Sequence, residues 1–219
     1  MPERPYGIIA PAVLRLFRGL KRLPPQSFVG DRLSHQMGEH FTADPESATR
    51  RRAWRVDVFV LASVALELTI FFTIFEAPEW LQVVLLAMPI LRILNIIEVT
   101  VNLNVFDALT AEVKPRVASV VRTLVLTGIN YVELIFCFGI IYAVALADLH
   151  GAHDPLDVIY FSAITQLSVG YGDIVPMNLL RLAAVAQAML GLFFTVVLLG
   201  RFAGLLPKIR TVAEMEEEK

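Results

Sequence analysis

The chain has 219 residues, of which 56% are hydrophobic and only 18% charged, and its mean hydropathy is +0.64. That balance excludes an ordinary globular domain, which carries about 45–50% apolar and about 25% charged residues. A formal net charge of −2 and a single cysteine exclude a basic nucleic-acid footprint and an intrachain disulfide.

Residues 6–23 interleave large apolar side chains with Arg15, Arg18, Lys21 and Arg22 at near-helical spacing. The pattern predicts an amphipathic helix, either lying on the cytoplasmic leaflet, where anionic lipids attract it, or covering the cytoplasmic face of an assembly. Basic residues interrupt the apolar part and no small-residue cleavage site follows, so it is not read as a cleaved signal peptide. Residues 24–50, opened by Pro24 and Pro25, read as a polar linker. Asp31, His35, Glu39 and His40 within it read as a solvated set rather than a metal site.

Four apolar runs then reach the ~20 residues needed to cross a bilayer: 56–75, 80–101, 119–147 and 179–206. Ten of the nineteen basic residues precede the first run, including Arg50, Arg51, Arg52 and Arg55, and none lies in the 76–79 turn. Positive residues favour the cytoplasm, so the N-terminus is expected inside. Counting crossings then places 105–118 inside, 148–178 outside, and Lys208 and Arg210 inside.

The second run carries only Arg92, whereas a voltage sensor needs several basic residues at three-residue spacing. Strong voltage dependence is not expected. At ~1.5 Å per residue, Arg92 lies roughly 18 Å below the outer end of its run, Glu133 roughly 21 Å and Glu67 roughly 14 Å. Arg92 is therefore expected to pair with Glu133 or Glu67, as a static lock or as a gating contact. Arg92, Asn95, Glu98 and Asn102 share one helix face, which is expected to meet protein. Cys137, in the third run, reads as a small apolar residue in a helix.

Asp148, His150, His153, Asp154 and Asp157 cluster before a short apolar segment. The acids would concentrate cations; the histidines either make this region sensitive to external pH or belong to an ordinary hydrophilic loop. Residues 157–167 form about three helical turns, opened by Asp157 after Pro155. Ser168, Val169, Gly170, Tyr171, Gly172 and Asp173 follow, and Pro176 breaks the chain before the last run. The two glycines permit backbone dihedrals that a Cβ disfavours.

Residues 119–206 resemble the pore module of the tetrameric potassium channels: outer helix, pore helix, selectivity filter, inner helix. The resemblance implies that the carbonyls of Ser168, Val169, Gly170 and Tyr171 from four chains replace the water shell of K⁺. It makes Thr165 and Ser168 filter-entry hydroxyls, Tyr160 and Phe161 an aromatic cuff for Tyr171, and Asp173 the external-mouth acid. Ser168 stands where the family usually has Thr, Leu167 where it often has another, and Ile164 where some relatives carry an acid behind the filter. A gate that depends on that acid is not expected. Gly191, one residue from the commonest hinge spacing, is either a hinge opening a gate near residues 195–199 or a close-packing position.

One filter per chain implies a homotetramer. The expected fold is an all-α membrane protein with four transmembrane helices, a pore helix and a filter loop. Its expected divisions are a 1–55 cytoplasmic segment, a 56–104 two-helix scaffold, a 119–206 pore module and a 207–219 tail with no regulatory ligand domain. The expected function is a K⁺-selective channel of the plasma membrane with both termini cytoplasmic and no organic cofactor. A non-conducting modulatory subunit, a channel of relaxed cation selectivity and a potassium-transporter subunit stay open as alternatives. No group of nucleophile, base and orienting acid is present, so no enzyme is expected.

Overall fold

The computed structural model describes residues 45–101 and 120–205. The amphipathic segment at 6–23, most of the 24–50 linker, Asn102, the 105–118 connection and the 207–219 tail lie outside the described residues. The chain divides into two compact units, residues 1–61 and 62–219. The described part of the first unit is the opening of helix α1 (Pro45–Thr73).

The second unit contains the remainder of α1, then α2 (Glu79–Leu85), α3 (Ala87–Val101), α4 (Val120–Val144), α5 (Pro155–Gln166) and α6 (Leu180–Ala203). Four helical stretches are long and apolar enough to cross a membrane: Ala53–Thr73, Glu79–Val101, Val121–Val144 and Leu180–Ala203. The protein is an all-α membrane protein, as its hydropathy predicts. Helices are the natural outcome, because lipid offers no partner for an unpaired backbone group.

Local chemistry sets the helix ends. After α1, the Gln82 amide donates to Ile74 O at 3.1 Å and Ala77 O at 2.9 Å, which covers carbonyls at the turn. Within the second span the hydrogen-bond ladder breaks at Leu86, between α2 and α3, although the backbone there stays helical. Pro89 explains the break, since it has no N–H for the Leu85 carbonyl and its ring crowds that oxygen. The third run ends its α-helix at Val144, ahead of a 3₁₀ turn at Leu146–Asp148. Strand β1 (Leu149–His150) then pairs antiparallel with β2 (Val175–Pro176), Leu149 opposite Pro176 and His150 opposite Val175.

Helix α4 is the centre of this unit, packing on α3, α5 and α6, and α5 packs on α6. The core contains Phe71 from α1, Ile74 from the turn after it, Ile96 from α3, Leu134 and Ile140 from α4, Phe161 from α5 and Phe194 from α6. Between membrane helices, apolar burial has little of the driving force it has in water, so close packing and interhelical hydrogen bonds must hold the bundle. The interior accordingly holds Glu67, Arg92, Asn95, Glu133, Ser162, Gln166 and Gln187.

Candidate ion-binding loop

Helix α5 starts at Pro155, two residues before Asp157; Asp157 is the acid of its first turn, as expected, and Asp154 is its cap. The Asp157 N–H donates to Asp154 Oδ1 at 2.9 Å, and Asp157 Oδ2 accepts from the His153 N–H at 2.8 Å. Pro155 at the first helical position needs no hydrogen-bond partner there. Replacing Asp154 with alanine is expected to cost about 1 kcal/mol, seen as a lower thermal midpoint with helicity retained. Asp148 is also engaged, its Oδ1 accepting from Asn178 Nδ2 at 2.8 Å. Among the described residues no group of three or more His, Cys, Asp or Glu could hold a metal ion.

The end of α5 builds the start of the loop. The Ser168 N–H donates to Thr165 O at 3.0 Å and the Val169 N–H to Ile164 O at 2.9 Å. These two bonds, with Ser168 at φ +56°, form a Schellman cap, in which the residue after the helix turns left-handed. Glycine is the usual occupant; serine accepts a steric cost of about 1 kcal/mol there. Gly170 at φ +58° and Gly172 at φ +80° repeat the left-handed turn, while Val169 and Tyr171 between them do not. In a regular strand successive carbonyls alternate sides. Reversing the sign of φ at every second residue rotates the peptide planes so that successive carbonyls can share a side. Glycine makes this inexpensive at 170 and 172.

Side chains brace the loop from α5. The Tyr160 hydroxyl donates to Asp173 Oδ2 at 2.8 Å, and the Tyr160 ring lies parallel to that of Tyr171, with centroids 6.4 Å apart. That hydrogen bond to Asp173 pushes the Tyr160 phenol above its ordinary pKa. Phe161, expected beside Tyr160 as a second cuff residue, turns into the core and meets Tyr142 edge-on at 5.0 Å. Consecutive helical residues point about 100° apart, so one of the pair faces the loop and the other faces α4.

Gly191 lies against the last residue of α5. A Cβ there would overlap the Gln166 carbonyl oxygen and reach its carbonyl carbon at 3.0 Å. Close packing therefore has a geometric basis at this position. Arg92 pairs with Glu133: Nε meets Oε1 and Nη2 meets Oε2, both at 2.7 Å, while Nη1 donates to Asn95 Oδ1 at 2.7 Å. The other candidate acid, Glu67, accepts from Cys137 Sγ at 3.1 Å. Cys137 is thus a donor as well as a small core residue. The pairs Arg92–Glu133 and Glu67–Cys137 fasten α3 and α1 to α4.

Sequence reasoning missed a third polar cluster, behind α5, formed by Tyr142, Ser162 and Gln187. Its signal was available, because a glutamine inside an apolar span must find a partner.

From Ser168 to Asp173 every residue of the loop is exposed in the single chain, with Val169 at 49% and Tyr171 at 71%. Of the apolar window of α6, 17% is buried, against 44% for α4.

Residues 131–208 match a family model described as an ion channel, so the resemblance read from the loop and its flanks is borne out over that segment. Two bacterial relatives align over 84 residues, protein LctB of Geobacillus stearothermophilus at 32% identity and protein LctB of Bacillus caldotenax at 30%. Each alignment takes in 32% of this chain and 63% of the relative, so the chain spans less than two thirds of the length of the relatives it matches. No solved structure matches the chain.

Proposed function

Taking residues 131–208 as an ion-channel module, we propose that the chain is a K⁺-selective channel whose filter is the loop from Ser168 to Asp173. The alternation of φ along 168–172, positive at Ser168, Gly170 and Gly172 and not at Val169 or Tyr171, carries this reading. It is the backbone form a carbonyl-lined path needs, and a carbonyl-lined path replaces the hydration shell of a dehydrated cation. K⁺ would be held by the carbonyls of Ser168, Val169, Gly170 and Tyr171. The Thr165 and Ser168 hydroxyls would stand at the inner entry and Asp173 at the outer mouth, where its charge concentrates cations.

One loop supplies one wall of such a path, so the working unit is a homotetramer of four pore modules, residues 119–206, around an axis. The exposed Val169 and Tyr171 and the sparsely buried α6 are the surfaces that neighbouring copies and the aqueous path would cover. Residues 56–104 act as a two-helix scaffold without an arginine ladder, so gating is not strongly voltage-sensed. The basic residues before the first span support an N-terminus on the cytoplasmic side, and four crossings would return the C-terminus to it; the membrane of this reading is the plasma membrane.

The test is flux from liposomes containing the purified chain, K⁺ against Na⁺, with Gly170→Ala beside it. No atom of the same chain lies within 4 Å of a Cβ built at Gly170, so alanine meets no clash within the chain, but its left-handed φ of +58° then costs about 1–2 kcal/mol. Flux that prefers K⁺ in the parent and loses that preference in the variant is the expected result. Equal K⁺ and Na⁺ flux in the parent would mean a channel of relaxed selectivity. An absence of flux from well-folded protein would favour the modulatory-subunit reading.

A further inference from the structure

Gln187 sits about two turns into a helix otherwise apolar enough to span a membrane, and it is 0% exposed. No water reaches such a site, so each polar atom of the amide must find a partner in the protein. Its Oε1 accepts from the Tyr142 hydroxyl of α4 at 2.7 Å. Its Nε2 donates to Ser162 Oγ of α5 at 2.8 Å and to Ser162 O at 3.0 Å. Ser162 Oγ in turn donates to Ile135 O of α4 at 2.7 Å. The orientation of the amide is determined by these partners, since the Ser162 carbonyl only accepts and so must face the NH₂ end.

One amide therefore joins α4, α5 and α6 at a single buried point. One turn farther along α6, Gly191 meets Gln166, which lies one turn farther along α5 from Ser162. The same face of α6 thus holds α5 twice, by a hydrogen bond at 187 and by backbone contact at 191. The last turn of α5 is bonded in turn to Ser168 and Val169. A shift of Ser162 relative to α6 passes through about one helical turn to the first residues of the loop.

We propose that Gln187 is a positioning residue for the 168–173 loop, so that ion selectivity depends on this buried amide. The inference rests on the reading of the loop as the filter. It assigns the inner helix a part in selectivity through Ser162, separate from any gate lower on α6.

The experiment measures the ratio of K⁺ to Na⁺ flux from liposomes for the parent chain, Gln187→Leu and Gln187→Glu, at about pH 6 to 9.5, a range that takes in the raised pKa of a buried carboxyl, with thermal unfolding of each protein. Leucine fills similar space and removes all the Gln187 bonds. Its flux ratio is expected to fall about tenfold, the change corresponding to one lost buried hydrogen bond. Glutamate provides a readout that loss of packing would not. A protonated carboxyl can accept from Tyr142 and donate to Ser162, whereas a carboxylate faces the Ser162 carbonyl oxygen with nothing to donate. The ratio for Gln187→Glu is therefore expected to rise toward the parent value as pH falls. The groups bonded to residue 187 are the Tyr142 phenol from α4 and the Ser162 hydroxyl and carbonyl from α5.

An unchanged ratio in a well-folded Gln187→Leu overturns the proposal. So does a uniform loss of K⁺ and Na⁺ flux together with a pH-independent Gln187→Glu, which would reduce Gln187 to packing. A parent chain with no preference for K⁺ removes the filter reading itself, and that outcome is distinct from either failure of the variants.

Discussion

Replacing Arg92 with leucine is expected to cost the folded protein about 3–5 kcal/mol, measured as a large fall in the thermal unfolding midpoint in detergent micelles. The side chain gives two parallel N–H bonds to Glu133 and a third to Asn95, and Arg92 and Glu133 are 6% and 1% exposed. Leucine leaves the Glu133 carboxylate without that cation in a region where water is scarce. The destabilisation therefore comes mainly from the stranded acid, and removing the acid as well should reverse most of it. Arg92→Leu combined with Glu133→Leu is expected to be more stable than Arg92→Leu alone, because a buried pair replaced by apolar groups of similar size is often close to neutral. Arg92→Lys should fall between, since one ammonium cannot present the two parallel donors that match the carboxylate. A double variant as unstable as the single one would show that Arg92 acts through its own packing.

The second large effect is expected at Gly191. Alanine there should destabilise the protein by about 3 kcal/mol, the upper part of the usual range for overpacking, and should reduce selective flux. The obstruction is the Gln166 backbone, which cannot rotate aside as a side chain would. Either α6 or the end of α5 must move, and the end of α5 carries the loop. Gly128 of α4 provides the comparison. No atom lies within 4 Å of a Cβ built there, and it faces a lateral groove between α1 and α4 lined by Val64, Val125, Ile129, Val132, Glu133 and Phe136. Gly128→Ala is expected to stabilise α4 by about 0.5–1 kcal/mol. Gly191→Ala with parent-like stability but altered opening would instead favour the hinge reading.

Much of this architecture was legible in the residues because lipid leaves few choices. A run of some twenty apolar residues has to close its backbone bonds on itself, so hydropathy alone predicts four spans, and the Pro89 break follows from a missing N–H. The loop was equally legible, because glycine at 170 and 172 marks backbone angles that other residues avoid. The start of α5 was harder. Asp157 marks the acidic first turn, but the cap itself, Asp154, is seen only once its side chain closes on the Asp157 N–H and Asp157 on the His153 N–H. The partner of Arg92 was harder still. Depth along a helix left Glu133 and Glu67 as candidates, and depth says nothing of rotation about the helix axis.

The sequence by itself determined that this protein lies in a membrane, where its spans run, and that one short loop has the backbone freedom to line an ion path. These are local properties, set by transfer energies and by the steric demands of a few residues. Only the tertiary structure decided that Arg92 meets Glu133 while Glu67 meets Cys137, that Tyr160 braces the loop while Phe161 faces the core, and that Gln187 holds Ser162 across 25 residues of chain. Each of those pairings depends on how helices are rotated and how closely they approach, and the periodicity of any single helix leaves both quantities free.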